Sequence, residues 1–468
     1  MKFMSHILKW VCALCCIYNV LPSGLFLPVD CHGELEKTCS GNVELDVQIR
    51  DICEQASKEF PRAYTASITD YGAVGDGKTL NTHAFQNAIN NLRSFANRGG
   101  LILRIPRGTW LTGSFNLTSH LTLYLDEGAV ILGSQDPKEW PLIAPLPSYG
   151  RGRELPGPRH ISLIHGEDLV DVVITGQNGT VDGQGSLWWQ RFRNKTLDYT
   201  RGHLLELINS TAIVVKNITF LNSPFWNIHP VYCRDVFIQG VTILAPLNAP
   251  NTDGVDPDSS SNVCIQDCYI RNGDDAIAIK SGWDQYGIAF GRPSSNIVIQ
   301  RVIGETTSSA GLALGSEISG GIHDVFVEDL TVVNSASGIN VKTAVGRGGY
   351  VTNVTIANVQ LDNVKYAVWF NSNFGDHPDN NYDQHAFSLV DEINIKDVSG
   401  KDIIHAGNMV GFMEAPFKGI SLQHIHLNVH GGGFMWKCSS IQGFSSEVVP
   451  LPCPQLQGSL NQAVSQVS

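Results

Sequence analysis

Ala212-Ile213-Val214-Val215-Lys216-Asn217-Ile218-Thr219-Phe220 is the stretch on which the fold turns. Ile213 and Val215 follow a strand period, Lys216 and Asn217 interrupt it, and Ile218 and Phe220 resume it. A second copy opens at Asp235, with Val236, Ile238, Val241 and Ile243 in the apolar places, and others open at Asn262, Asp324 and Asn353. Looser copies start at Asp171, Asn296, Glu392 and Gly419. The starts lie 23 to 41 residues apart, most of them by fewer than 30. That period belongs to a solenoid, in which no unit can bury its apolar row alone but each can do so against its neighbours. The interrupting pair lets the chain turn a corner. The expected fold is all-β: a single-stranded right-handed parallel β-helix around a continuous column of Val, Ile and Leu.

The repeat runs without a linker from about Val170 to Leu427, so the chain divides into residues 1–24 as a signal peptide, 25–65 as an N-terminal extension, 66–455 as the β-helix and 456–468 as a polar tail. Lys2 and Lys9 precede an apolar stretch from Trp10 to Leu21 that is short for a bilayer span, and Ser23 and Gly24 suit a cleavage site. Secretion to an extracellular location follows, with no stable membrane association once the signal is removed. Sequons at Asn116, Asn178, Asn194, Asn209, Asn217 and Asn353 are usable in that route. Of 11 cysteines, three lie in the signal; Cys438 and Cys453 are the expected disulfide, Cys31, Cys39 and Cys53 cluster in the extension, and Cys268, in an apolar slot, is read as a buried thiol. Asp70 to Gly77 leads into Ala84-Phe85-Gln86-Asn87-Ala88-Ile89, whose helical spacing suits a short cap over the open end of a solenoid. The net charge of -12 and the lack of a Lys/Arg run exclude a nucleic-acid partner, and metal-ligand spacing is absent.

On this frame stand Asn251-Thr252-Asp253-Gly254 and Gly273-Asp274-Asp275. Counted from the repeat starts, Asn227, Asp253, Asp274, Ala310, Asn340 and Tyr366 all fall on the strand after the corner, so they are expected to form one ladder on an outer face, with coils about 4.8 Å apart. Clustered carboxylates suit glycosidic bond cleavage, in which a protonated carboxyl donates to the leaving oxygen and an ionised one activates water. Crowding raises one pKa and keeps the acid protonated. A polyanionic substrate makes any cation on the ladder informative. Lys342 and Asn340 alternate with inward Ile339 and Val341, and Lys280 projects similarly. Trp226 can stack on a sugar or sit in the core.

The capping stretch, Asn251 to Pro257, Gly273 to Asp275, Gly311 to Glu317 and Lys342-Thr343 resemble glycoside hydrolase family 28, the polygalacturonases, over about Ile68 to Cys453. Ser223 to Pro230 and Gly346 to Tyr350 resemble its plant probable-polygalacturonase branch. The resemblance implies a pectin-lyase-like β-helix, a pectic polysaccharide as substrate, no cofactor, and inverting, metal-free hydrolysis of α-1,4-galacturonosyl linkages in cell-wall modification. It makes Asp274 the acid and Asp253 and Asp275 the water-activating pair, and it matches Lys342 and Tyr366 to substrate-binding residues; with Asn340, Asn251, His229 and Lys280, placed by the ladder, these are the expected substrate-binding set of a monomer. Two places depart from it: Ser309-Ala310-Gly311 stands where the family carries Gly-His-Gly, and Asn340 where it carries Arg. A lost charge-assisted contact removes about 1.5–3 kcal/mol. A catalytically impaired pectin-binding wall protein, or a hydrolase of another pectic polymer such as rhamnogalacturonan, is the alternative.

Overall fold

Every residue that opens a repeat adopts the left-handed backbone conformation, with φ between 51° and 60° at Asp171, Ala212, Asp235, Asn262, Asn296, Asp324, Asn353, Glu392 and Gly419. In this computed structural model, which describes residues 51–430, 432 and 434–457, the corner is left-handed as well, at Asn217, Gly240, Asp267, Arg301, Asp329, Asn358, Asp397 and His424. Asn and Asp dominate these places because their short polar side chains tolerate positive φ better than other side chains do. They also tie coil to coil. Asn262 Nδ2 donates to Asp235 Oδ1 at 2.9 Å, Asn296 Nδ2 to Asn262 Oδ1 at 3.1 Å, and Asn353 Nδ2 to Asp324 Oδ1 at 2.5 Å.

Between these corners the strands pair in parallel and in register. Leu103, Leu123, Ile174, Val215, Ile238, Ile265, Ile299, Val327, Ile356, Ile395 and Leu422 are successive partners on successive coils, and all are buried. The apolar positions of the two best copies, Ile213 to Phe220 and Val236 to Ile243, face this same core. One antiparallel pair, Leu142–Ile143 with Arg159–His160, lies in a loop that leaves the solenoid.

The first coil begins at Tyr64–Ser67, which pairs with Leu101–Ile105, so the solenoid starts two residues before the expected boundary. The expected cap is the helix Thr82–Leu92, which buries Phe85, Ala88, Ile89 and Leu92 and stacks Phe85 on Phe115 at 4.5 Å. Cys53, in a helical segment at 51–56, is bonded to Cys264, 211 residues away, and Cys438 is bonded to Cys453. Cys233 and Cys268 are buried thiols. The signal stretch, Cys31, Cys39 and residues 458–468 lie outside the described residues.

One expectation of register is corrected. Asp253 is in line with Asp275, and that column continues through Ala310, Ser337, Tyr366 and His405. Asn340 stands three residues further along its strand, beside Ala313 and Trp369, and Asp274 immediately precedes the column. Offsets from the repeat start fail where loops of different length intervene between the corner and the strand.

Candidate active site

Six coils contribute to one cavity of about 310 Å³ on this outer face, the first through Phe225 and Trp226. Asn251 and Asp253 reach it from one turn, Asp274, Asp275 and Lys280 from the next, then Gly315 to Glu317, Lys342, and Phe374 with Asp376. Gly254 must be glycine, because a Cβ there would lie 2.4 Å from the carbonyl oxygen of Ala276 on the next coil. That close approach brings Asp253 against the paired aspartates. One oxygen from each of Asp253, Asp274 and Asp275 lies within 4.8 Å of the other two.

The three carboxylates are held differently. Asp275 Oδ1 accepts from the Ser309 hydroxyl at 2.5 Å and from the Ala310 N–H at 3.0 Å, while Lys342 Nζ meets Oδ2 at 2.5 Å. Ser309 and the Ala310 backbone therefore serve Asp275 at the place where the family pattern carries histidine. Asp274 is half-buried and accepts from Asn251 Nδ2 at 3.3 Å. Burial and the neighbouring Asp275 carboxylate raise its pKa. Burial, Asp274 and Asp256 push Asp253 well above the usual carboxylate range, and its Oδ1 receives no hydrogen bond from the protein. Such a cluster titrates as a unit, and burial with mutual repulsion favours a proton shared within it.

Lys280 is the second cation. Its Nζ lies 3.2 Å from Glu317, 3.5 Å from Asp256 and 3.7 Å from Asp253, and 4.4 Å above the Trp226 ring. Burial lowers its pKa, but Glu317, Asp256 and Asp253 outweigh that and keep it charged. Trp226 thus does both things expected of it: it packs on Phe225 at 5.0 Å and lines the cavity.

Six of the nine expected site residues line this cavity: Asp253, Asp274, Asp275, Asn251, Lys280 and Lys342. Three do not. Asn340 is buried beside Ser337. Tyr366 lies against Trp369 and His405, each 4.8 Å away. His229 is sealed behind Trp226, with Nδ1 2.9 Å from Glu206 and Nε2 3.3 Å from Asp258. Burial lowers the His229 pKa, but these two carboxylates outweigh it and raise the imidazole to about 9.

The wall residues Arg153, Glu154 and Asp376 escaped the sequence reading, and Glu317 entered it only as part of a motif. Arg153 Nε bonds Glu317 at 2.6 Å and its Nη1 bonds Asp376 at 2.8 Å, so the loop carrying 151–154 is latched to the loop carrying 374–378. Glu154 pairs with Arg201, whose Nη2 also donates to Asn251 at 2.8 Å. Fully buried Arg347, from the glycine-rich stretch, anchors the second loop through the carbonyl of Asp376 at 2.8 Å. These residues lie on loops with no repeat period. The one available signal was Glu317, two residues beyond Gly315 in a noted motif.

The sequence model of Glycosyl hydrolases family 28 matches residues 153–449. A "Probable polygalacturonase" of Vitis vinifera is 51% identical over 84% of this chain and 81% of its own length. Among solved structures, an exopolygalacturonase from Thermotoga maritima superposes with a TM-score of 0.73 at 24% identity, over 86% of this chain and 96% of that one. The polygalacturonase of Erwinia carotovora gives 0.62 at 22% identity, over 83% and 97%. The two structures share the fold, and the family match together with the Vitis relative shows the lineage: this chain belongs to glycosyl hydrolase family 28, as a glycoside hydrolase of the polygalacturonase type.

Proposed function

We propose that the chain is a secreted, monomeric enzyme that hydrolyses α-1,4-galacturonosyl linkages of pectin in the plant cell wall, by an inverting, metal-free reaction. The observation that carries this reading is the triangle of Asp253, Asp274 and Asp275 in a cavity that also holds two ammonium groups. Asp274 is the least enclosed of the three and keeps a proton, so it donates to the leaving glycosidic oxygen as the bond from that oxygen to the anomeric carbon breaks. Asp253, ionised opposite Lys280 in the productive form, takes a proton from water as the water oxygen bonds to the anomeric carbon. Asp275, with both oxygens already engaged, holds the pair in place. Lys280 and Lys342 receive the galacturonate carboxylate, and the Trp226 ring lies under the sugar.

Two points of chemistry bear on this. The oxygens are closer than the roughly 6.5–9.5 Å expected of an inverting pair and nearer the retaining spacing of about 5–5.5 Å. Inversion is favoured here because the third carboxylate lets water sit against two acids, and because Lys342, Ser309 and Ala310 occupy the lone pairs that a nucleophilic Asp275 would need. The acidic triangle is also the kind of donor set that can hold a cation. Lys280 and Lys342 already supply the opposing charge, which supports a reaction independent of divalent metal. Among the described residues no helix is long and apolar enough to cross a membrane.

The test is proton NMR of galacturonan digestion. The newly formed reducing ends should appear first as the β-anomer, at an unchanged rate in EDTA. Asp274→Asn should slow their release by about 10²–10⁴-fold. First appearance of the α-anomer would overturn inversion, and a rate abolished by EDTA would overturn independence from metal.

A further inference from the structure

Among the described residues three cations line the cavity: Lys280, Lys342 and Arg153. The two lysines are held by buried acids, Lys342 by Asp275 and Lys280 by Glu317, Asp256 and Asp253, none of them more than 5% exposed at the side chain. Arg153 differs. Its Nε is bonded to buried Glu317 at 2.6 Å, but Nη1 donates to Asp376 Oδ2 at 2.8 Å and Nη2 to Oδ1 at 3.3 Å, and the Asp376 side chain is 56% exposed. The Trp283 ring, 4.2 Å from Arg153 Cζ, fixes the guanidinium against it. One edge of a preset fork therefore meets a carboxylate that water can reach.

That carboxylate is not needed to hold its loop. The carbonyl of Asp376 accepts from Arg347 Nη2 at 2.8 Å and from Trp283 Nε1 at 3.1 Å, and Arg151 Nη1 donates to the carbonyl of Pro378 at 2.8 Å. Besides Arg153, the carboxylate has Arg347 Nη2 at 3.5 Å. An exposed ion pair holds weakly against water and salt, so the side chain can leave while the backbone stays.

We propose that Asp376 is a resident stand-in for a uronate carboxylate: a galacturonate unit displaces it from the Nη edge of Arg153, which thereby selects units with a free carboxyl over methyl-esterified ones. This rests on the hydrolase reading above for the nature of the ligand. A galacturonate carboxylate offers the same two oxygens in one plane, so the exchange keeps both N–H···O bonds while Asp376 turns into solvent. A methyl ester carries no charge and leaves Asp376 in place. The Asp376 charge also repels the incoming anion, so the same pair that sharpens the choice lowers affinity for the chosen unit.

Calorimetry of trigalacturonate binding to Asp274→Asn protein, with Asp376 intact or replaced, tests this. Asp376→Asn should tighten binding by roughly three- to tenfold at low salt and by less in about 0.5 M salt. Asp376→Ala, which also removes the acceptor, should act in the same direction. The fully methyl-esterified trimer should gain nothing, and neither should trigalacturonate when Arg153→Gln is added, because no fork remains to be released. Binding of the free acid that neither Asp376 substitution tightens would overturn the exchange and leave the hydrolase reading standing, as would an equal gain on the ester or with Arg153→Gln. A protein that binds no uronide in any of these forms would overturn both.

Discussion

His229 shows how a residue can belong to a site without touching the ligand. It sits between Glu206 and Asp258 with no exposed surface, and Arg159 Nη1 completes the cluster at 2.8 Å from Glu206. Since its folded pKa is about 9 and that of a free imidazole is about 6.5, its stabilising contribution is complete below pH 6.5 and is lost as pH rises towards 9. His229→Gln removes the cation between two buried carboxylates, leaving Glu206 with Arg159 alone and Asp258 with the Tyr149 hydroxyl. It should therefore destabilise the chain by about 3–5 kcal/mol near pH 6. Thermal unfolding of both proteins across pH 6 to 9 should show the gap narrowing as pH rises; a gap that stays constant would contradict a charged His229. Asp253 and Asp274 behave in the opposite sense. With folded pKa values raised above those of the unfolded chain, the pair holds on to a proton after the unfolded carboxylates have ionised, so its contribution to stability falls as pH rises from about 4. The same retained proton serves the acid step, and kcat should decline on the alkaline side as the cluster loses it. A kcat that climbs steadily from pH 5 to 8 would speak against Asp274 as the acid.

At the level of the repeat, the left-handed opening residue carries the turn, and Ala212 and Glu392 are the two openings filled by neither glycine nor Asn or Asp. A non-glycine, non-Asx residue in this conformation costs roughly 1–2 kcal/mol. Ala212 has a φ of 58° and lacks the amide that elsewhere bonds the previous coil. Ala212→Asn should raise the melting temperature by a few degrees, for a gain of about 0.5–1 kcal/mol; differential scanning calorimetry would show it, and a fall would mean that the opening turn is not under strain. The repeats themselves were legible because burial imposes a period: each apolar slot read from Ala212 and Asp235 is filled by a core residue. Asp253, Asp274 and Asp275 were legible for a related reason, being short motifs on regular coils. Register was harder. Asp275, Ser337, Tyr366 and His405 each follow their repeat start by 13 residues, but Asp253 follows its own by 18, because an extra turn intervenes. Accepting offsets as far apart as 13 and 18 is what let Asn340, at 16, into the ladder. Arg153 and Asp376 were illegible, since they meet only through loops whose paths carry no period.

Across the whole molecule, the solenoid is a stack whose ends and sides must be secured. The helix Thr82–Leu92 closes one end, and the Cys53–Cys264 bond fastens the segment before the first coil to the middle of the stack. A link closing a loop of 211 residues restricts the unfolded chain strongly. Cys264→Ala in the oxidised protein should lower stability by about 2–5 kcal/mol, readable as a lower urea midpoint; an unchanged midpoint would mean that the segment docks without help from the bond. The solenoid also explains how residues from Arg153 to Asp376 enclose one cavity, because each coil advances a single strand spacing. The central claim is that this cavity cuts galacturonan by hydrolysis. The most direct measurement is to incubate the purified chain with polygalacturonate, rhamnogalacturonan and xylogalacturonan in EDTA and to size the products by chromatography. Saturated galacturonides bearing new reducing ends from polygalacturonate are the expected result, while unsaturated, ultraviolet-absorbing products or an intact polymer would contradict it.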